Sequence, residues 1–227
     1  MTAVSRRVLV AGKVHAAGIE RLKARSGITL DLVDAVTADA YRPFLPTADA
    51  ILIRTQPMTA QDITLAPKLK IVSRHGVGYD AVDVAALNAR GIPLAIVGDV
   101  NSRAVAEHAL MLMLAAARRT VAHHLASTTG NWNERNRFDA VELDGKTLLI
   151  LGFGRIGRRV AELARAFGMK VEAFDPFVPV EQMRALGVVR AADVSSALAA
   201  ADYVSIHQPG GQVVLGAAEL AMMKPTA

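Results

Sequence analysis

Two kinds of segment alternate along the chain. Short apolar runs of strand length recur, and between them apolar residues repeat at the spacing of a helix face. In the first hundred residues this pattern predicts strands over 7–11, 28–33, 50–54, 69–73 and 93–97, and helices over 15–26, 37–45 and 83–89. Apolar strands that alternate with helices predict an α/β fold, in which a parallel sheet is covered on both faces.

The most informative stretch is 147–175. An apolar run over 148–151 breaks at Gly152, and a helical pattern follows that ends at Gly168. The predicted packed face of this helix comprises Ile156, Val160, Leu163, Ala164 and Phe167. A second strand over 170–174 leads directly to Asp175. Strand, glycine turn, helix, strand and acid in this order are typical of the mononucleotide half of a dinucleotide-binding fold.

Each glycine of this stretch has a predicted task. Gly152 permits the tight turn that leaves the strand, and Gly154 lets the backbone approach a pyrophosphate closely. Gly157 lets the helix pack against the strand, so that the N–H groups at the helix N-terminus are offered to phosphate. The turn is therefore a candidate pyrophosphate site.

Asp175 predicts which dinucleotide binds. A carboxylate about twenty residues after the glycine turn accepts hydrogen bonds from ribose hydroxyls and repels a 2′-phosphate. Pro176 and Phe177, which follow it, bring no positive charge. The sequence therefore favours NAD over NADP.

The remaining segments complete a second α/β region. A long helix is predicted from Asn101 or Ser102 to about Thr120, apolar nearly all round and therefore buried between two layers or domains. A polar, turn-prone segment over 127–137 contains Trp132. Later helices are predicted over 181–186, 194–200 and 217–223, and strands over 188–189 and 203–207. Because a complete doubly wound domain has about six strands, the last strand is expected to be an apolar edge and the chain to be cut short.

Composition excludes several classes of protein. The 227 residues contain no cysteine, which excludes a disulfide framework and a cysteine-based metal site. The net charge of +5 comes from scattered residues, so nucleic-acid binding is not expected. The longest apolar run, 109–117, is too short to span a bilayer, and the N-terminus does not resemble a signal peptide. No histidine or carboxylate cluster has metal-ligand spacing. We therefore expect a cytoplasmic protein that binds neither metal nor membrane.

Several motifs in order resemble the D-isomer-specific 2-hydroxyacid dehydrogenases. They are ILIR (51–54), SRHGVGYDAVD (73–83), NSRAVAEHALMLML (101–114), LGFGRIG (151–157), FDP (174–176), ADYVSIHQP (201–209) and GAAELAMMKPTA (216–227). The resemblance covers nearly the whole chain. It implies NAD-dependent hydride transfer between the nicotinamide and a 2-hydroxy or 2-keto acid, in a cleft between two domains.

The resemblance also implies a domain organisation. Residues 1–100 would form a flavodoxin-like substrate domain, and residues 101–227 an incomplete Rossmann NAD-binding domain, both doubly wound around parallel sheets. The helix over 101–120 would be the hinge and the dimer element of a homodimer. A naturally short, catalytically inactive relative that binds NAD, as a sensor or interaction protein, is the alternative.

Site residues follow from the same resemblance. The backbone N–H groups of Val77 and Gly78, in the turn at Gly76, would hold the substrate carboxylate, with Arg54 helping to bind anionic groups and His75 beside them. Glycine suits such a turn because a backbone approaches an anion closely only where no β-carbon intervenes. For Arg54 a structural salt bridge is an equal alternative.

On the cofactor side, Arg155 and Ile156 would present N–H groups to the pyrophosphate. Asp175 would bind the adenosine ribose, and His207 and Pro209 would line the site near the nicotinamide.

Two departures from the family pattern matter. The catalytic arginine, glutamate and histidine of the family would all lie beyond the position of Ala227, so no residue of this chain is predicted to be catalytic. The family's Pro-Leu-Thr loop is replaced by the shorter Gly210-Gly211-Gln212-Val213-Val214. The other histidines have structural interpretations: His15 at a helix start, His108 in packing or hydrogen bonding, and His123 and His124 in solvent.

Overall fold

The computed structural model describes residues 5–210 and 213–227 of the chain. The chain divides into two compact units, Met1–Gly98 and Asp99–Ala227. Each unit contains one parallel sheet with its own helices and its own core. No helix among the described residues is long and apolar enough to cross a membrane.

The first unit is a five-stranded sheet with helices in the connections. Its strands are β1 (Arg6–Ala11), β2 (Ile28–Val33), β3 (Ala50–Ile53), β4 (Ile71–Arg74) and β5 (Leu94–Ile96). Its helices are α1 (Ala16–Lys23), α2 (Ala38–Tyr41), α3 (Ala60–Thr64) and α4 (Val84–Ala89), with a 3₁₀ helix at Arg42–Thr47. All neighbours pair in parallel in the order β2-β1-β3-β4-β5. This is the strand order of flavodoxin-like folds.

The second unit is built around a four-stranded sheet. Its strands are β6 (Thr147–Leu151), β7 (Lys170–Phe174), β8 (Val189–Arg190) and β9 (Tyr203–Ile206). Its helices are α5 (Ser102–Ala117), α6 (Thr120–Thr129), α7 (Arg155–Ala166), α8 (Val180–Ala185), α9 (Val194–Ala200) and α10 (Ala217–Met222), with a 3₁₀ helix at Trp132–Arg137. The order β8-β7-β6-β9 is entirely parallel. The predicted α/β fold with two parallel sheets is confirmed.

The order of the second sheet locates its crevice. The chain proceeds from β6 through β7 to β8 on one side and then returns to place β9 on the other side of β6. In open α/β sheets a ligand crevice forms outside the carboxyl ends of the strands where the winding direction changes. Here that point lies beyond Leu151 of β6 and Ile206 of β9, which pair with one another.

Helix α7 ends as its sequence predicts. Gly168 adopts φ +75°, and the N–H of Met169 donates to the carbonyl of Ala164, which is the glycine-dependent closure of a helix C-terminus. The packed face differs in part from the prediction. Ala161 is buried beside Val160, whereas Phe167 is 45% exposed because it belongs to the frayed end of the helix.

The long helix predicted over 101–120 is two helices. Helix α5 ends at Ala117, and Arg119 adopts a left-handed conformation with φ 47° before α6 begins. An ion pair of 3.2 Å between Arg119 and Asp139 lies at this break. The expected all-round burial is also wrong, because only one face of α5 packs in the core and Leu112 on another face is 54% exposed.

Two helical segments were not predicted. Residues 127–129, taken for part of a turn, belong to α6. Helix α3 follows Thr59, whose hydroxyl accepts from the N–H of Asp62 while the Asp62 carboxylate accepts from the N–H of Thr59. Such a reciprocal capping box is readable as Thr-x-x-Asp, so a signal for α3 was present in the sequence.

Asp62 is the most constrained charge of the first unit. Its side chain is fully buried, and the Nε of Arg42 donates to it at 2.7 Å. Burial by itself raises the pKa of the carboxyl, but hydrogen bonds from Arg42 and Thr59 outweigh burial, so the pKa lies below its ordinary value. The ionised carboxylate therefore stabilises the folded state.

We predict that Asp62→Ala lowers the free energy of unfolding by about 2–4 kcal/mol, because it removes a helix cap and one partner of a buried pair. Urea unfolding measures the loss. Asp39→Ala is the matched control, since Asp39 also pairs with Arg42 but is 89% exposed, and its effect should stay within about 0.5 kcal/mol.

The same contribution depends on pH. It is fully present above the carboxyl pKa of the unfolded chain, about 4, and is lost as the pH falls through the lower pKa of the folded state. Equal losses for both aspartate variants would contradict the role of burial.

Candidate functional site

The glycine turn after β6 is fixed by close backbone contacts. Gly152 has φ +95°, and a β-carbon there would lie 2.6 Å from the backbone nitrogen of Gln208. A side chain is thus excluded twice, by the left-handed conformation and by the segment that follows β9. The sequence indicated only the turn, because the neighbouring segment lies more than fifty residues further along the chain.

Gly157 and Gly154 differ in what surrounds them. A β-carbon on Gly157 would lie 2.2 Å from the carbonyl oxygen of Gly152, so α7 crosses the turn with no room for a side chain. A β-carbon on Gly154 would meet nothing within 4 Å. The first glycine permits packing within the protein, and the second leaves open space in front of the turn.

The N-terminus of α7 offers unpaired donors to this space. Gly154 occupies the N-cap position and provides no side-chain cap. Among the described residues, the N–H groups of Gly154, Arg155 and Ile156 have no hydrogen-bond acceptor. Free N–H groups at a helix N-terminus, together with the positive end of the helix dipole, form a site for an anion such as phosphate.

Asp175 is tied to the glycine turn. Its Oδ2 accepts from the N–H of Phe153 at 2.8 Å, and its Oδ1 accepts from the N–H of Phe177 at 2.9 Å. Each carboxylate oxygen can accept a further hydrogen bond, so both remain able to bind hydroxyl groups. The sequence indicated Asp175 as a ligand residue but not its second role, which is to hold the main chain of the turn.

These features border one cleft of about 390 Å³. Its lining residues are Gly152, Gly154, Phe174, Asp175, Pro176, Phe177, His207, Gln208 and Pro209. Arg155, Ile156 and Gly157 lie in the first turn of α7, which begins beside Gly154. The structure therefore brings together the predicted cofactor residues of the second unit.

His207 is held by a residue that sequence reasoning missed. Its Nε2 lies 2.8 Å from the Oγ of Ser205, in a hydrogen bond whose direction depends on the tautomer of the ring. Burial lowers the pKa of His207, so the imidazole is neutral near pH 7. Two positions separate these residues along a strand, and that spacing is the only sequence signal that could have suggested the contact.

The predicted substrate residues lie in the first unit, at the carboxyl ends of β3 and β4. Arg74 pairs with Ile53 across these strands, and the N–H of His75 donates to the Ile53 carbonyl at 2.8 Å. Within the part of the chain that the structure describes, the N–H groups of Val77 and Gly78 have no acceptor. This turn thus presents two free donors beside Arg54.

Two arginines border this turn. The Nη1 of Arg54 donates to the carbonyl of Lys13 at 3.1 Å, and no carboxylate of the described residues lies within 4.0 Å of it. The salt bridge considered for Arg54 is therefore not formed. Arg74, which was not singled out, donates from Nη1 to the carbonyl of His75 at 2.7 Å and packs over Gly76.

The remaining predicted features lie away from both sites. His15 caps α1 as expected, with Nδ1 accepting from the N–H of Ala17. His108 is exposed on α5, so the packing role expected for it is wrong. His123 is half-buried and His124 exposed, both on α6. No group of three His, Cys, Asp or Glu residues within 5–210 and 213–227 could hold a metal ion.

The loop that departs from the family pattern is only partly visible. Gly211 and Gln212 lie outside the described residues, so the structure does not test the altered loop as a whole.

Comparison with protein families identifies the second unit. The family model described as "D-isomer specific 2-hydroxyacid dehydrogenase, NAD binding domain" matches residues 110–227, which is more than half of the chain. NAD is the cofactor of this domain, as the glycine turn and Asp175 predicted.

Named relatives cover both units. The chain is 33% identical to the D-3-phosphoglycerate dehydrogenase of Methanocaldococcus jannaschii over 97% of its own length and 42% of that protein. It is 38% identical to the Mycobacterium bovis enzyme of the same name, over 89% of this chain and 38% of that protein. The chain thus spans about two fifths of the length of these curated relatives.

Solved structures share the arrangement. The D-lactate dehydrogenase of Aquifex aeolicus, solved with NAD and lactic acid, matches with a TM-score of 0.87 and 25% identity over 96% of this chain and 66% of that one. A glyoxylate reductase from Paecilomyes thermophila matches with a TM-score of 0.81 and 29% identity, over 97% of this chain and 71% of that one.

Two glycine variants separate packing from ligand space. We predict that Gly154→Ala leaves the melting temperature unchanged but weakens NADH binding tenfold or more, because the new methyl group projects into the space in front of the turn. Gly157→Ala should lower the free energy of unfolding by roughly 2–4 kcal/mol through its clash with the Gly152 carbonyl.

Thermal unfolding and a fluorescence titration with NADH measure both effects. Full NADH affinity in the Gly154→Ala variant would show that the pyrophosphate does not approach this glycine.

Proposed function

Since the chain belongs to the family of D-isomer specific 2-hydroxyacid dehydrogenases, we propose that it serves NAD-dependent hydride transfer to and from a 2-hydroxy or 2-keto acid. The observation that carries this proposal is the cleft at the start of α7, where free N–H groups and Asp175 border the same space. In this proposal residues 101–227 bind the cofactor and residues 1–100 bind the acid.

On the cofactor side, two chemically different recognition elements lie side by side. The N–H groups of Gly154, Arg155 and Ile156 receive the pyrophosphate at the helix N-terminus. Asp175 receives the adenosine ribose with the remaining acceptor capacity of its two oxygens. Its negative charge, with no arginine or lysine at positions 176 and 177, disfavours the 2′-phosphate of NADP.

On the other side of the cleft, His207 and Pro209 form the wall that follows β9. We assign them to the nicotinamide half of the dinucleotide. Bound NAD supplies or accepts the hydride at its nicotinamide ring, and the residues of this chain bind and orient it.

For the acid substrate, the turn at Gly76 is the carboxylate site. The N–H groups of Val77 and Gly78 are free among the described residues, and a carboxylate is the anion that two adjacent backbone donors suit. His75 is exposed beside them and can contact the substrate.

The substrate class can be narrowed by charge. Arg54 and Arg74 follow or end neighbouring strands at this turn, and Arg54 also contacts the main chain at Lys13. Guanidinium groups bind phosphate and carboxylate bidentately. We therefore propose a 2-hydroxy acid with a second anionic group, in line with the name D-3-phosphoglycerate dehydrogenase that the relatives carry.

We assign no catalytic residue in this chain. His207 is engaged by Ser205, and among the described residues no histidine has a carboxylate as a hydrogen-bond partner, the arrangement that would mark a general acid or base. An NAD-binding relative without hydride-transfer activity, acting as a sensor or interaction protein, is the second candidate. The two thirds or so of the relatives' length that this chain does not span favour it for the chain by itself.

We further propose a homodimer in the cytoplasm. The second unit has several large apolar side chains that are largely exposed, and a set of this size marks an interaction surface more often than free surface. They are Leu112, Val121, Leu125, Trp132 and Phe138. A second copy of the chain is the proposed partner for this surface.

We predict that the full chain binds NADH and that Asp175→Arg weakens this binding tenfold or more while improving binding of NADPH, because the charge at the ribose site is reversed. Titration of both dinucleotides by fluorescence measures the two affinities. Glu181→Arg, a charge reversal at an exposed acid of the same unit, is the control and should leave both affinities unchanged.

The same samples separate the two candidate functions. NADH oxidation with a 2-keto acid would support the enzyme, and we expect it to be weak or absent in the chain alone. Binding without turnover fits the NAD-binding relative. Unchanged NADH affinity in Asp175→Arg would remove Asp175 from the ribose.

We predict that 3-phosphoglycerate raises the melting temperature of the chain more than D-glycerate does, because only the former has a second anion. Arg54→Ala should abolish this difference. Arg21→Ala, an exposed arginine on α1, is the matched control. Equal shifts for both acids in the unmodified chain would contradict the second-anion site.

A further inference from the structure

Ser205 and His207 form a pair on β9 that the proposed function uses only in part. Alternate residues of a strand project from the same face, and here the two side chains meet at 2.8 Å between Oγ and Nε2. Ser205 itself is not among the residues that line the cleft, whereas His207 is. The serine therefore stands behind the histidine.

The main chain of His207 is already fixed. Its N–H donates to the carbonyl of Leu151 at 2.7 Å, which extends the pairing of β6 with β9 by one residue. The glycine at 152 lets the two segments approach, since a β-carbon there would lie 2.7 Å from the carbonyl carbon of His207. What this backbone contact leaves open is the rotation of the imidazole about its own side-chain bonds.

The hydrogen bond from Ser205 removes that freedom. An imidazole ring can turn over and exchange the places of its two nitrogens, and a partner at one nitrogen selects one orientation. With Nε2 engaged by Ser205, Nδ1 is the ring nitrogen that has no partner among the described residues. The serine hydroxyl can donate or accept, so it holds either neutral tautomer.

We propose that Ser205 is a positioning residue for NAD binding, which acts by orienting the His207 ring at the wall of the cofactor cleft. The inference rests on the proposed function, because it takes His207 as a cofactor contact. It assigns a role to a residue that touches no part of the cleft itself. The ring is oriented before the dinucleotide arrives, so less ordering remains to be done on binding.

The charge state of the ring agrees with this role. Burial is the cause that lowers the pKa of His207, and no neighbouring carboxylate or cation contributes to the shift. The ring is thus neutral near pH 7 and serves as an oriented hydrogen-bonding surface. A passive structural serine would be expected to act on stability, whereas a positioning serine acts on affinity through His207.

A double-mutant cycle tests this distinction in the full chain. NADH dissociation constants are measured by fluorescence titration for the unmodified chain, Ser205→Ala, His207→Ala and the double variant. We expect Ser205→Ala to raise the dissociation constant about three- to tenfold, as the loss of one hydrogen bond would. In the His207→Ala background the same serine change should have no further effect.

Three further variants guard the interpretation. Ser205→Thr keeps the hydroxyl and should restore affinity to within about twofold of the unmodified chain. Ser195→Ala, at an exposed serine on α9 of the same unit, is the matched control and should bind NADH normally. His207→Leu preserves side-chain volume without a hydrogen bond, and it completes the cycle if His207→Ala does not fold.

The outcomes are distinguishable. Unchanged affinity in Ser205→Ala, or serine and histidine effects that simply add, would overturn the positioning role while leaving the cofactor cleft intact. Unchanged affinity in both histidine variants would instead remove His207 from the cleft and overturn that part of the proposed function. A loss that appears only with His207 present supports the proposal.

Discussion

The contact between α7 and the carbonyl oxygen of Gly152 is the constraint on which the second unit depends. A β-carbon on Gly157 would lie 2.2 Å from this oxygen, so the helix starts against the turn only because that β-carbon is missing. Asp175 secures the same turn from the next strand through the N–H of Phe153. With the turn held on two sides, the first N–H groups of α7 stay in place and free.

Both proposed sites rely on the main chain more than on side chains. In the second unit the donors are at the start of α7, and in the first unit they are the N–H groups of Val77 and Gly78. Backbone donors that are already in position lose little freedom when an anion binds, so they need no further ordering. The side chains add discrimination: Asp175 rejects a phosphate on the ribose, and Arg54 and Arg74 favour a second anion on the acid.

The apolar pattern was sufficient for most of the fold. Buried strands of parallel sheets appear as short apolar runs, so all nine were placed to within about two residues. The break between α5 and α6 was missed because Arg119 adopts a left-handed conformation that usually requires glycine or asparagine. The burial of α5 was overestimated because an apolar composition does not tell which face of a helix has a partner.

The sequence by itself determined the family, the parallel α/β architecture, the glycine turn and the preference for NAD. These follow from residues close together in the chain, whose spacing has direct physical meaning. Only the tertiary structure decided that Gly152 lies against Gln208, that Asp175 holds the turn, that Arg74 covers Gly76 and that Ser205 orients His207. Contacts of this kind depend on strand register, on side-chain rotamers and on how closely two segments approach. No local pattern in a single sequence records those quantities, because they are set by the packing of the whole unit.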